Sequence, residues 1–138
     1  MNEEMIQALA IATRIAFATI TSPGQAALRA CVDQACDIPA GFRWERKATA
    51  HAEFFTTLAD VAGDLCVTPV LNHAAGFAHD LMISAGRAAD SIIINSRRRM
   101  LAQLRAGNAD EAALEMEKHL RILSFMCRVT TSPTRASA

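Results

Sequence analysis

The chain has 138 residues, 51% of them hydrophobic, with 14 basic side chains against 14 acidic ones. That length suits one domain and that apolar content suffices for a core. Zero formal charge supplies no global field toward phosphate backbones or anionic lipid, which argues against unaided nucleic-acid binding. The four cysteines, Cys31, Cys36, Cys66 and Cys127, follow no paired metal spacing. They sit among apolar neighbours and read as reduced structural thiols of a cytoplasmic protein. No apolar run reaches the ~20 residues a bilayer requires, and the opening MNEEMIQ lacks a cationic signal-peptide head.

Periodicity is helical from end to end, which predicts an all-α class. A first helix over about Asn2 to Ile20 places Ile6, Leu9, Thr13, Ala16 and Phe17 on one face. In TSPGQ, Ser22 is the expected N-cap of a second helix, with Pro23 at the first helical position and Gln25 completing a capping box. That helix runs to about Cys36. DIPAGFR is a loop, and a third helix over Trp44 to Ala62 carries Trp44, Ala48, His51, Phe55, Leu58 and Ala62 inward.

Gly63 ends the third helix and Asp64 is the expected N-cap of a fourth, Leu65 to about Ala85, in which Pro69 either kinks the opening or marks the true start. Val70, Ala74 and Phe77 form its predicted stripe. His73 borders that stripe and His79 turns away beside Asp80, so both read as structural or solvated. A fifth helix follows Gly86, from about Arg87 to Ala106, closed by Gly107. Asn108 with Glu111 caps a sixth that reaches about Val129. The remaining segment, 131–138, is a polar tail. Short loops between helices of this length predict an antiparallel bundle of about six helices.

Three polar residues break the inner stripes. Arg97 falls in line with Ile93, Met100 or Leu101, and Leu104; His119 with Ala112, Met116 and Leu123; His51 with Ala48 and Phe55. No Asp or Glu falls on those stripes near them. A buried arginine cannot escape by losing its proton, so the pattern calls for an anion from elsewhere, and a small carboxylate or phosphate suits the forked guanidinium. The competing readings are an arginine whose head reaches water along its apolar stem, and core histidines bonded to the protein itself. A shared cavity between facing helices is the favoured one. HExxH motifs, glycine-rich phosphate loops and nucleophile–base pairs are all missing, which points away from an enzyme.

The segments ALAIATRIAFA, SPGQAALRACVDQA, HAEFFTTLADVAGD and RRRMLAQLRAGNADEAALEMEKHL, in that order, resemble the FCD ligand-sensing domain of GntR-family transcription regulators. The likeness spans about Gln7 to Arg128, and LRAGNADEAALEMEKHL is its most specific piece. It implies an FCD-like bundle over residues 1–130 that binds a small organic acid, forms a homodimer, and meets DNA only through a winged-helix domain, for which this chain has no counterpart.

Many members of that family hold a divalent metal through an Asp, a His four residues on, and two later His residues. Those positions here are His51, Phe55, Arg97 and His119. Phe cannot coordinate, and a fixed guanidinium opposes a cation. The resemblance therefore implies a metal-free site in which Arg97 pairs with a ligand carboxylate, His51 and His119 bond around it, and Phe55, Trp44 and Met116 form apolar wall. Two other functions compete: a metal-dependent helical-bundle enzyme using His51 and His119 as ligands, and a structural dimerisation module with a vestigial cavity.

Overall fold

The structure is a computed structural model, and it describes residues 3–39 and 41–130. Its elements are α1 (Glu3–Ala18), α2 (Ser22–Asp37), α3 (Trp44–Val61), α4 (Thr68–Ala85), a short 3-10 turn (Arg87–Ala89), α5 (Asp90–Arg105) and α6 (Ala109–Thr130). The fold is thus an all-α helical bundle, as periodicity predicts. Among the described residues there is no strand, and no helix long and apolar enough to cross a membrane. The polar tail predicted at 131–138 lies outside the described residues.

Side-chain pairs set the register of the packed helices. Arg121 meets Glu3 while Arg14 meets Asp110, so α6 runs antiparallel to α1. Trp44 Nε1–H donates to the Met82 carbonyl at 2.9 Å and Thr49 pairs with His79, which sets α4 antiparallel to α3. Asp33 with Arg98, and Gln25 with the Leu104 carbonyl, do the same for α2 and α5. One continuous apolar core, from Ile6 and Phe17 through Leu28, Leu58, Met82 and Ile93 to Leu123, fills the space between them.

Helix ends follow local chemistry, with corrections to the sequence reading. The N-cap of α2 is Thr21, one residue earlier than expected: its hydroxyl accepts from the Gly24 N–H at 3.2 Å. Ser22 and Pro23 are already helical, and the Gln25 amide crosses to α5 instead of closing a capping box. Asp64 caps only a turn, accepting from the Cys66 N–H at 2.8 Å. The fourth helix then starts at Thr68 with Pro69 in its first turn, where the missing N–H has no intrahelical partner to lose.

The later start comes with a different buried row on α4: it is Leu71, Ala74, Ala78, Leu81, Met82 and Ala85, not Val70, Ala74 and Phe77. Gly107, at φ +85°, ends α5 as expected. Its N–H reaches the Leu104 carbonyl and that of Asn108 reaches Gln103, a Schellman closure whose left-handed residue suits glycine. No disulfide joins the cysteines, but Cys66 is exposed instead of packed among apolar side chains, because it lies on the turn before α4.

Candidate functional site

All three polar misfits are interior residues: His51 is 2% exposed, Arg97 2% and His119 1%. Arg97 does not snorkel; the middle of α5 is covered too deeply for its head to reach water. One Nη1–H donates to the backbone carbonyl of His51 at 2.8 Å, tying α5 to α3. The guanidinium carbon also sits 4.3 Å from the Phe54 ring centroid and 5.4 Å from that of Phe55. Two aromatic faces thus supply part of the attraction that water would have given. Phe55 was expected as wall. Phe54, adjacent to it and off the predicted inner row, makes the closer contact.

The expectation that no acidic residue accompanies these groups needs correcting. Asp90, first residue of α5, accepts from His51 Nε2 at 2.8 Å and pairs with Lys47 Nζ at 3.1 Å. Lys47 and His51 are both buried on α3, one turn apart, and Asp90 stands opposite them. The ring of His51 is therefore already engaged within the protein. Burial holds its pKa below the usual histidine value, against the pull of the Asp90 hydrogen bond. A small cleft of about 30 Å³, lined by Phe42, Trp44, Lys47, Arg87 and Asp90, opens beside this ion chain.

The opposite corner is unsatisfied. Among the described residues, Arg97 Nε and Nη2 and both ring nitrogens of His119 are buried without a hydrogen-bond partner. Burial pushes Arg97 down to about 10, which still leaves it charged at neutral pH. His119 is held well below the ordinary histidine value, first by burial and then by the charges of Arg97, His51 and Arg99. The cluster is therefore a fixed cation beside a neutral imidazole. The neighbouring Cys31 thiol is pushed up by burial, an effect Arg97 opposes. Ser96, next to Arg97 on α5, is buried as well, and its hydroxyl is also without a partner among the described residues.

The structure thus brings His51, Phe55, Arg97 and His119 into one interior region, with His51 divided between two tasks: its carbonyl holds Arg97 and its ring holds Asp90. Of the expected wall, Trp44 lies tilted with its ring centroid 6.1 Å from that of His51, and Met116 is fully buried on α6. His73 is exposed and His79 lies at the surface with Thr49 and Asp80, as their positions suggested.

The donor set does not fit the divalent metal that the resemblance brings with it. No group of three or more His, Cys, Asp or Glu side chains among the described residues is placed to hold one. The guanidinium of Arg97, which acts electrostatically on both His51 and His119, is itself a cation. What the arrangement can do is accept negative charge at the free edge of Arg97. No family model, curated protein or solved structure matches the chain.

Proposed function

We propose that the chain is the effector-binding and dimerisation domain of a cytoplasmic GntR-type transcription regulator, non-catalytic, responding to a small organic acid. One observation carries the reading: a buried guanidinium whose Nε and Nη2 have no partner, and which bonds no carboxylate, among the described residues. An uncompensated interior charge is costly, and a ligand carboxylate removes that cost while meeting the two donors together. The FCD resemblance supplies the regulatory context. Because the cluster is enclosed by α3, α5 and α6, admitting a ligand shifts their packing, and a ligand that favours one packing biases any domain attached to the bundle.

Ile11 on α1 and Leu114, Ile122 and Phe125 on α6 are large apolar side chains left exposed, a strip that a homodimer would cover. The test of the reading is a thermal-shift screen of small carboxylates against the protein and its Arg97→Ala variant. A compound that stabilises the first and not the second supports it; equal responses, or none, defeat it.

A structural module is the second reading, and the aromatic faces of Phe54 and Phe55 favour it by partly satisfying the cation without a ligand. It expects no carboxylate to bind and an Arg97→Met protein that remains dimeric.

A further inference from the structure

Nearly every arginine among the described residues has a partner: Arg99 meets Glu115, Arg121 meets Glu3, and Arg97 holds the His51 carbonyl. Arg29 on α2 and Arg105 at the end of α5 are exposed, and they form no hydrogen bond, ion pair or ring contact among the described residues. Both line one groove of about 220 Å³, together with Arg98, Leu101 and Ala102.

Helix register explains the gathering. Gln25 bonds to the Leu104 carbonyl and Asp33 to Arg98, so Arg29, midway between Gln25 and Asp33, stands opposite the stretch of α5 between those two contacts. On α5, Arg98, Ala102 and Arg105 follow one another at spacings of four and three along one face, the two arginines about 10 Å apart along the axis. Arg29 enters between them from the other helix. Arg98 keeps Asp33 at 3.3 Å, so three cations and one carboxylate leave an excess of two positive charges beside the apolar Leu101 and Ala102.

A carboxylate brings one charge and two oxygens in one plane, which serve a single guanidinium fork. A phosphate monoester brings close to two charges above its second ionisation at about pH 6, and its three terminal oxygens point in different directions. It therefore matches both the excess charge and the approach of arginines from two helices. A nucleic-acid backbone would need the cationic row to continue. Instead α2 goes on to Asp37, and the adjoining groove beyond Ala102 balances Arg99 and Lys118 with Glu111 and Glu115.

We infer that the groove between α2 and α5 binds the phosphoryl head of a small phosphate monoester through Arg29, Arg98 and Arg105, as a site separate from the Arg97 corner.

The test is an NMR titration of the full chain at pH 7.5 with phenyl phosphate, benzoate and a short DNA duplex, followed at the backbone amides of Arg29, Ala102 and Arg105. These signals read this groove and not the interior, so the outcome is independent of whether a carboxylate binds at Arg97. Phenyl phosphate moves them with an affinity at least about tenfold above that of benzoate, and Arg29→Gln and Arg105→Gln each weaken it at least about threefold, a modest loss because the side chains are exposed. Lowering the pH to 5.5 weakens phenyl phosphate roughly fourfold, as the second proton returns to the phosphate. Arg97→Met leaves its affinity unchanged. Benzoate binding as tightly, no response of the three amides to phenyl phosphate, or indifference to both arginine substitutions overturns the proposal. Tighter binding of the duplex than of phenyl phosphate at moderate salt overturns it in favour of a nucleic-acid surface.

Discussion

Two corners of the same interior treat charge in opposite ways. On one side of α3, Lys47 and His51 converge on Asp90, and their polar contacts are closed within the protein. Beyond the His51 carbonyl that holds Arg97, Arg97 and His119 carry four buried nitrogens without partners among the described residues. The first corner is what a bundle does to hold two helices together. The second keeps a conformationally expensive arrangement that stability alone does not require, and such exceptions concentrate where a protein binds something. The difference makes the unsatisfied corner the place to look for function.

Breaking the closed corner has the largest effect expected. Asp90→Ala leaves Lys47 and His51 buried without their anion, and urea unfolding should show a loss of about 3 kcal/mol. A loss under about 1 kcal/mol would mean that the ion chain is solvated and the contrast false. The open corner responds with the opposite sign. Arg97→Met replaces an uncompensated cation by an apolar side chain of similar reach, and its unfolding free energy should rise by about 2 kcal/mol while the carboxylate response disappears. Destabilisation by that substitution would show that Arg97 is satisfied in ways the contacts do not reveal.

The histidines give a pH test. His119 and His51 have folded-state pKa values lowered from 6.5, so above 6.5 both are neutral in the folded and the unfolded chain and their titration leaves stability unchanged. As pH falls below that value the unfolded chain takes up protons that the folded chain refuses, and stability drops. For His119 the slope approaches about 1.4 kcal/mol per pH unit below 6.5. It is shallower for His51, whose bond to Asp90 opposes the shift. Chemical unfolding of the protein and of His119→Phe between pH 7.5 and 5 separates the two, and parallel curves would remove His119 from the account.

The smallest effect sharpens the picture of Arg97 itself. A double-mutant cycle pairing Phe54→Leu with Arg97→Met should return a coupling of about 1 kcal/mol, the value of a desolvated cation over an aromatic face. Zero coupling would reduce Phe54 to packing.

Much of the site was legible before any coordinates. Arg97, His119 and His51 fall on helical stripes at spacings of three and four, and that periodicity is a local property of a rigid helix, so their inward direction follows from neighbours a turn away. The Gly107 closure was readable for the same reason. Asp90 was missed although it stands three residues before Ile93 and seven before Arg97, on the same stripe. What spacing could not supply was its partner: His51 lies 39 residues away, and only the rotation and depth of α5 against α3 bring the carboxylate to the imidazole. Phe54 escaped because it sits about 100° around α3 from Phe55, on a face that an amphipathic reading leaves to solvent. Burial on both sides follows from α3 packing between α2 and α4.

The sequence by itself therefore determined the all-α class, the approximate helix limits and the inward direction of His51, Arg97 and His119, since each depends on spacing within one helix; Lys47 and Ser96, buried as well, were not picked out. Which of those residues would find a partner was decided by the tertiary structure alone. Helix rotation and register bring Asp90 to Lys47 and His51 and leave Arg97 and His119 with buried nitrogens that no described residue answers, because long-range pairing depends on how helices pack and not on what any one of them contains.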